Sequence, residues 1–529
     1  MKPLFTTLFV CLFLSASMIA QTRYIDPVFD KVKVTDGAVY GVNATLLFFA
    51  QVQQAVPEAL IMDVYEPEGD TETERPLILY LHTGNFLPFV NPVTGVPGLN
   101  GSCGGTRKDS AAVEFCTRLA KMGYVVASCD YRLGWDPQNS DQLIRRYTII
   151  NAAYRGVQDV RTAIRYFRKD AAQSGNTYNV DTTRITVWGQ GTGGYVSYAA
   201  ATLDKYIKIP TASSDPGKFL WQPPGAPGII PMVIESVNGN IFGTSVGTTT
   251  TNPGTPLDTL CYPNHVGYSS DFDLMVNMGG ALADSSWVDP GTTVPIISYQ
   301  VPTDPFAPYT EGILKVPGTN ELIVEVQGAY VVQKMQDDFN NNDVFTNIGL
   351  TLDLSAEQQS AFARSPAGLK DVRAGLYPFV RSSPFDSAPW EWSDVVPSNP
   401  TCNTGAAGKA KALAHIDTTI RFFAPRACYA LGIQPCIDAI VSAKEPLAPA
   451  SIQATLAPNP ATDQVRISVA SDKTIRDIQV IDAMGRIVRD LPGINNSNYN
   501  LQRNGLAKGN YVVKLRLDEG VIAKVLRME

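Results

Sequence analysis

Histidine is scarce in this chain: His82, His265 and His415 are the only three in 529 residues. That leaves few candidates for a general base. Cys103 and Cys116, spaced C-x₁₂-C, have no histidine close by, so a zinc site is not expected. Basic residues are also in deficit, 43 against 50 acidic, for a net charge of −7. This excludes a broad basic surface for nucleic acid. Beyond the first 20 residues no apolar run approaches the length of a membrane span. The glycine cluster at 189–194 has no lysine and the wrong spacing for a phosphate loop, so no nucleotide cofactor is expected. There is no internal repeat and no low-complexity tract.

What is present begins with a secretory signal over residues 1–20. Lys2 supplies the positive region, Leu4 to Ile19 the apolar stretch, and Ser17-Met18-Ile19-Ala20 an acceptable cleavage site before Gln21. Seven cysteines follow it. An oxidising exterior permits disulfides, and an odd number leaves at least one thiol free. The expected bridges are Cys103 with Cys116 and Cys402 with Cys436, while Cys129, in an apolar strand, reads as a buried thiol.

The length implies two or three units. Tyr24 to Glu68 reads as antiparallel strands. Pro76-Leu77-Ile78-Leu79-Tyr80-Leu81 is near-continuously apolar, as a strand buried on both faces must be. A helix over 108–122, a strand over 124–128, a helix over 148–172 and a strand over 184–188 follow. This alternation indicates an α/β fold with a mostly parallel sheet, in a domain spanning 21–443. Residues 203–270, rich in Gly, Pro, Thr and Ser, read as an irregular insertion or lid. Residues 444–456 read as a linker. Beyond it, over 457–529, the apolar period drops to two, as in a small antiparallel β-sandwich.

The segment Gly189-Gln190-Gly191-Thr192-Gly193-Gly194 lies between a strand and a small-residue helix. That is the setting of the nucleophile elbow G-x-S-x-G, with Gly191 where the serine belongs. With Leu81-His82-Thr83-Gly84, Asp130-Tyr131-Arg132-Leu133-Gly134-Trp135, Gln158-Asp159-Val160-Arg161 and Thr303-Asp304-Pro305-Phe306, it makes residues 76–310 resemble secreted esterases of the α/β-hydrolase superfamily. The resemblance implies a Ser–His–Asp triad and an oxyanion hole of backbone N–H groups. It puts the nucleophile position at Gly191, the acid at Asp304 and the oxyanion hole at Thr83, Gly84 and Thr192. A plain loop carboxylate is the alternative for Asp304. The base belongs in a loop before the last helix, where no histidine occurs. His415, inside a helical run, is the remaining candidate, set against an ordinary helix residue. His265 reads as a surface residue, and His82 as part of the oxyanion loop.

Ala457-Pro458-Asn459-Pro460, Ile481-Asp482-Ala483-Met484-Gly485-Arg486 and Leu506-Ala507-Lys508-Gly509-Asn510-Tyr511 resemble the C-terminal sorting domain of type IX secretion cargo. That implies a Bacteroidetes-type outer membrane and an extracellular or surface location, with the secretion machinery as partner through 457–529. The combined expectation is a secreted pseudo-esterase with no cofactor and no metal. It would bind an acyl or ester-like ligand or serve assembly by self-association. The alternative is an active carboxylesterase-like hydrolase with a non-standard nucleophile.

Overall fold

A computed structural model of the chain describes residues 22–88, 103–249, 258–316, 319–345, 354–380, 388–393, 403–442, 453–482, 487–518 and 520–529. The signal, most of the linker and the turn at 483–485 lie outside the described residues. The chain divides into two units, Met1–Ile437 and Asp438–Glu529.

The first unit is built on an eight-stranded sheet. Its strands are β1 (Val32–Thr45), β2 (Val56–Pro67), β3 (Arg75–Leu81), β4 (Val125–Cys129), β5 (Val180–Gln190), β6 (Leu274–Met278), β7 (Ile296–Gln300) and, after a separate hairpin of β8 (Glu311–Lys315) with β9 (Leu322–Gln327), β10 (Leu376–Pro378). The order across the sheet is β1-β2-β4-β3-β5-β6-β7-β10. β2 runs antiparallel to both its neighbours, and every pair from β4 to β10 is parallel. Every residue of β3 is buried, which is why its sequence after Arg75 is continuously apolar rather than alternating.

Helices α1 (Ser110–Lys121), α2 (Gln142–Gln173), α3 (Thr192–Thr202), α4 (Ala329–Asp338), α5 (Leu354–Ala363) and α6 (Gly405–Ala430) accompany the sheet. α2 begins six residues before the apolar periodicity suggests. Asp141 caps it, its carboxylate accepting the Leu143 N–H at 2.8 Å, so the start of the helix is set by a cap that the apolar periodicity does not report. Its stripe of Val157, Val160, Ala163, Ile164 and Phe167 is buried. Burying such a side chain stabilises the fold by about 1.5–3 kcal/mol.

Both expected disulfides are corrected. Cys116 is a free, buried thiol, and Cys436 bonds Cys428 at 2.05 Å, eight residues away. Cys103 is disulfide-bonded, but not to Cys116. Cys402 lies outside the described residues. Cys129 and Cys261 are also free and buried, as the apolar strand predicts for Cys129. Spacing misled because Cys116 faces inward from α1, next to the sheet, whereas Cys428 and Cys436 flank a tight turn after α6.

The second unit has two antiparallel sheets. One joins β11 (Thr455–Ala457), β12 (Gln464–Ser468) and β15 (Asn498–Gln502). The other orders β14 (Ile487–Leu491), β13 (Ile475–Ile481), β16 (Gly509–Leu517) and β17 (Gly520–Met528). Val465, Ile467, Ile478, Val480, Val513 and Leu515 form its core, on the alternate positions that the period of two selects.

Candidate functional site

β5 ends at Gln190 and α3 begins at Thr192, so Gly191 alone makes the turn. Its φ of 53° and ψ of −115° lie where side chains bring strain. Its N–H donates to the Met278 carbonyl at 2.7 Å, and its own carbonyl accepts the Gly194 N–H at 2.9 Å. The neighbouring glycines allow close approach: a Cβ on Gly194 would lie 3.1 Å from the Gly280 backbone.

Facing Gly191 is Thr83, two residues past β3. A Cβ on Gly191 would fall 2.6 Å from Thr83 Cβ and closer still to its hydroxyl. The Thr192 N–H donates to Thr83 Oγ1 at 3.2 Å, and the Thr83 N–H donates to the Gly104 carbonyl at 2.9 Å. Two of the three expected oxyanion positions thus have their N–H groups engaged within the protein. The third, Gly84, turns at φ 122° and accepts the Leu87 N–H at 2.9 Å. Thr192 Oγ1 pairs with the Tyr131 hydroxyl at 3.1 Å.

Asp304 follows β7. Its carboxylate accepts from the Phe306 N–H at 2.7 Å, the Ala307 N–H at 3.2 Å and Gln300 Nε2 at 3.3 Å. It lines the same cavity as Thr83, Gly191 and Thr192, so the fold brings together four of the residues singled out from sequence. His415 is not brought there. It sits in α6 with Nδ1 2.9 Å from the Lys411 carbonyl and its ring against Phe379, and it does not line the cavity. His265 is half-buried, its Nε2 lies 2.7 Å from the Tyr40 carbonyl, and burial lowers its pKa. His82 is buried, stacked on Tyr131, with Nε2 3.5 Å from Asp130.

Sequence reasoning missed Glu391. It lies in the connection between β10 and α6, where the esterase resemblance leads one to expect the base. Gln190 Nε2 donates to its carboxyl, and Gln190 in turn accepts from the Tyr80 hydroxyl. Glu391 Oε1 and Thr83 Cγ2 both crowd the same point beside Gly104. The Glu391 pKa stands well above the usual carboxylate range. Burial is the main cause and the Asp109 charge the next, with Gln190 opposing and Asp304 adding. Next to it Trp390 is 1% exposed, and its indole N–H has no partner among the described residues. The only signal for this pair in the sequence was the missing histidine.

The cavity measures about 380 Å³. Its polar end holds Thr83, Gln190, Gly191, Asp304, Trp390 and Glu391. Its body is apolar. Ile149, Ile150, Ala153 and Val157 come from α2, and Leu203, Ile209, Phe219 and Val233 from the segment that follows α3. Leu314, Ile323, Val324 and Val326 come from the β8–β9 hairpin. The hairpin is tied down by α2: Arg145 Nη2 donates to the Leu322 carbonyl at 3.1 Å and Gln142 Nε2 to the Ile323 carbonyl at 3.2 Å.

Residues 62–216 match the family BD-FAE. With the strand order above, that settles the architecture. The first unit has the α/β-hydrolase fold. Residues 455–527 match the secretion system C-terminal sorting domain. The chain is therefore a secreted protein, extracellular or on the cell surface, and its sorting tail is the part that meets the type IX secretion machinery. Among the described residues no helix of this hydrolase-fold protein is long and apolar enough to cross a membrane. Similar solved structures include a truncated form of a carbohydrate esterase from gut microbiota, 14% identical over 58% of this chain and 84% of that one, at a TM-score of 0.30. Esterase 2 of Thermogutta terrifontis phosphorylated by paraoxon is 14% identical over 52% of this chain and 73% of its own, at 0.26. A bifunctional GH43-CE of Bacteroides eggerthii is 17% identical over 47% of this chain and 29% of its own, at 0.26. No curated protein matches the chain.

Proposed function

We propose that this secreted, esterase-like protein is a pseudo-esterase that keeps the pocket of a hydrolase and binds through it without turnover. One observation carries the reading: Thr83 fills the space that a nucleophile on Gly191 needs, and it takes the Thr192 N–H for itself. Gly191, Asp304 and Glu391 are then the vestigial positions of nucleophile, acid and base. A hydroxyl nucleophile needs a base placed to take its proton, and no histidine lines the cavity among the described residues; Glu391, whose pKa burial raises, stands in that place. The apolar body suits the chain of an acyl or ester-like ligand.

The rival reading, a working hydrolase with an unorthodox nucleophile, has one point in its favour: the Thr83 hydroxyl itself lies beside Gly191. Exposure of the mature protein to a fluorophosphonate, followed by intact-mass measurement, separates the two. The pseudo-esterase gains no adduct. A stoichiometric adduct that maps to Thr83 or Thr192 would overturn the proposal.

A further inference from the structure

The polar end of the cavity is an acid cluster where an esterase would have a serine and a histidine. Glu391 and Asp304 line it, and Asp109 stands behind Glu391 close enough to raise its proton affinity. Asp109 accepts the Thr106 N–H at 2.7 Å. The only basic residue that lines the cavity among the described residues is Lys315, on the β8–β9 hairpin beside Leu314, whose neighbours form the apolar body. An anionic head group would therefore meet carboxyl oxygens at this end of the cavity and no basic side chain beside them among the described residues.

A neutral carbonyl fares little better, because the Thr83 and Thr192 N–H groups are both committed. The Trp390 indole N–H is a buried donor with no partner among the described residues. The cavity also carries aromatic side chains, Phe86, Trp135, Tyr195, Phe306 and Trp390, whose ring faces attract cations. At Gly279 the two kinds of partner converge: a Cβ there would lie 3.7 Å from the Trp390 ring and 3.9 Å from Asp304 Oδ2.

We propose that the cavity takes a cationic ligand, an amine with an apolar tail, whose ammonium group meets the carboxyls of Glu391 and Asp304 against the Trp390 ring. This rests on the binding reading above and names its ligand class. The proton balance is simple: the amine enters as its ammonium form, the cation favours the Glu391 carboxylate, and the proton that burial favours on Glu391 passes to solvent as the ion pair forms. Gln190 remains hydrogen-bonded to the Glu391 carboxylate, and the tail displaces water from the apolar body.

The test is calorimetric titration of the mature full chain at pH 7 with octylamine, octanol and octanoate. Octylamine is expected to bind at least tenfold tighter than either comparator and to release protons, read from its heats in buffers of different ionisation enthalpy. Glu391→Gln is expected to weaken octylamine about tenfold or more and to leave octanol within twofold. If that variant does not fold, Asp304→Asn is expected to shift octylamine in the same direction. Octanol or octanoate binding as tightly as octylamine overturns the cationic assignment and leaves the pocket reading standing. So does octylamine binding that is indifferent to Glu391→Gln. Failure of all three ligands to bind overturns both.

Discussion

Gly191→Ser is the obvious way to restore a nucleophile, and the geometry predicts that it damages the protein instead. The new Cβ would sit 2.6 Å from Thr83 Cβ, well inside any contact that real Cβ atoms make. Rotation of Thr83 does not help, because its Cβ is itself in the way and its N–H is anchored to Gly104. A serine would also be held at φ 53°, ψ −115°. Overpacking costs about 1–3 kcal/mol, and the backbone strain about 1–3 kcal/mol more. Gly191→Ser should therefore lose about 2–6 kcal/mol of stability and gain no esterase activity. Thr83→Gly/Gly191→Ser removes the clash and keeps the strain, so it should be more stable than Gly191→Ser by about 1–3 kcal/mol. Thr83→Ala should not rescue, since it keeps the offending Cβ. All six tryptophans lie before residue 438, so denaturant unfolding followed by tryptophan fluorescence reports on the hydrolase-fold unit alone. Gly191→Ser with wild-type stability, or rescue by Thr83→Ala equal to that by Thr83→Gly, would refute the reasoning.

Glu391 gives a pH prediction. Its folded pKa is raised above the usual 4.5, so the unfolded chain releases a proton that the folded chain retains. Its stabilising share is whole below about pH 4.5 and shrinks as pH rises towards the folded pKa, by up to about 1.4 kcal/mol per pH unit. Unfolding free energies at pH 5 and pH 8 should show Glu391→Gln gaining on the wild type as pH rises. Lys218 and Asp284 form a fully buried ion pair at 2.9 Å, shared with Ser214 and Ser286. Lys218→Met strands the Asp284 charge and should cost about 3–5 kcal/mol in the same fluorescence assay. Deletion of 438–529 should leave that unfolding transition in place and abolish appearance of the protein outside the cell, read by immunoblot of fractions.

The parts of the fold legible in the sequence are those in which one residue type answers one constraint. The apolar run of β3 says that both its faces are covered, and the period of two after residue 464 says that each strand has one buried face. Gly189 to Gly194 announce a tight strand-to-helix turn because only small residues pass Gly280 and Leu81 there. The site was half legible. Gly191, Thr83, Thr192 and Asp304 occur in recognisable local settings, and the cavity unites them. Glu391 could not be read. It sits in an aperiodic Trp390-Glu391-Trp392 stretch, far in sequence from Gln190 and Gly104, and only tertiary contact gives its carboxyl a meaning. The disulfides failed for the same reason, since spacing does not say which way a cysteine faces.

The central claim is that the pocket survives and the chemistry does not. The most direct measurement is hydrolysis of short- and medium-chain nitrophenyl esters by the mature protein beside its Asp304→Ala and Thr83→Val variants. The account predicts rates at the buffer background for all three. Turnover well above background in the native protein, abolished by either substitution, would contradict it.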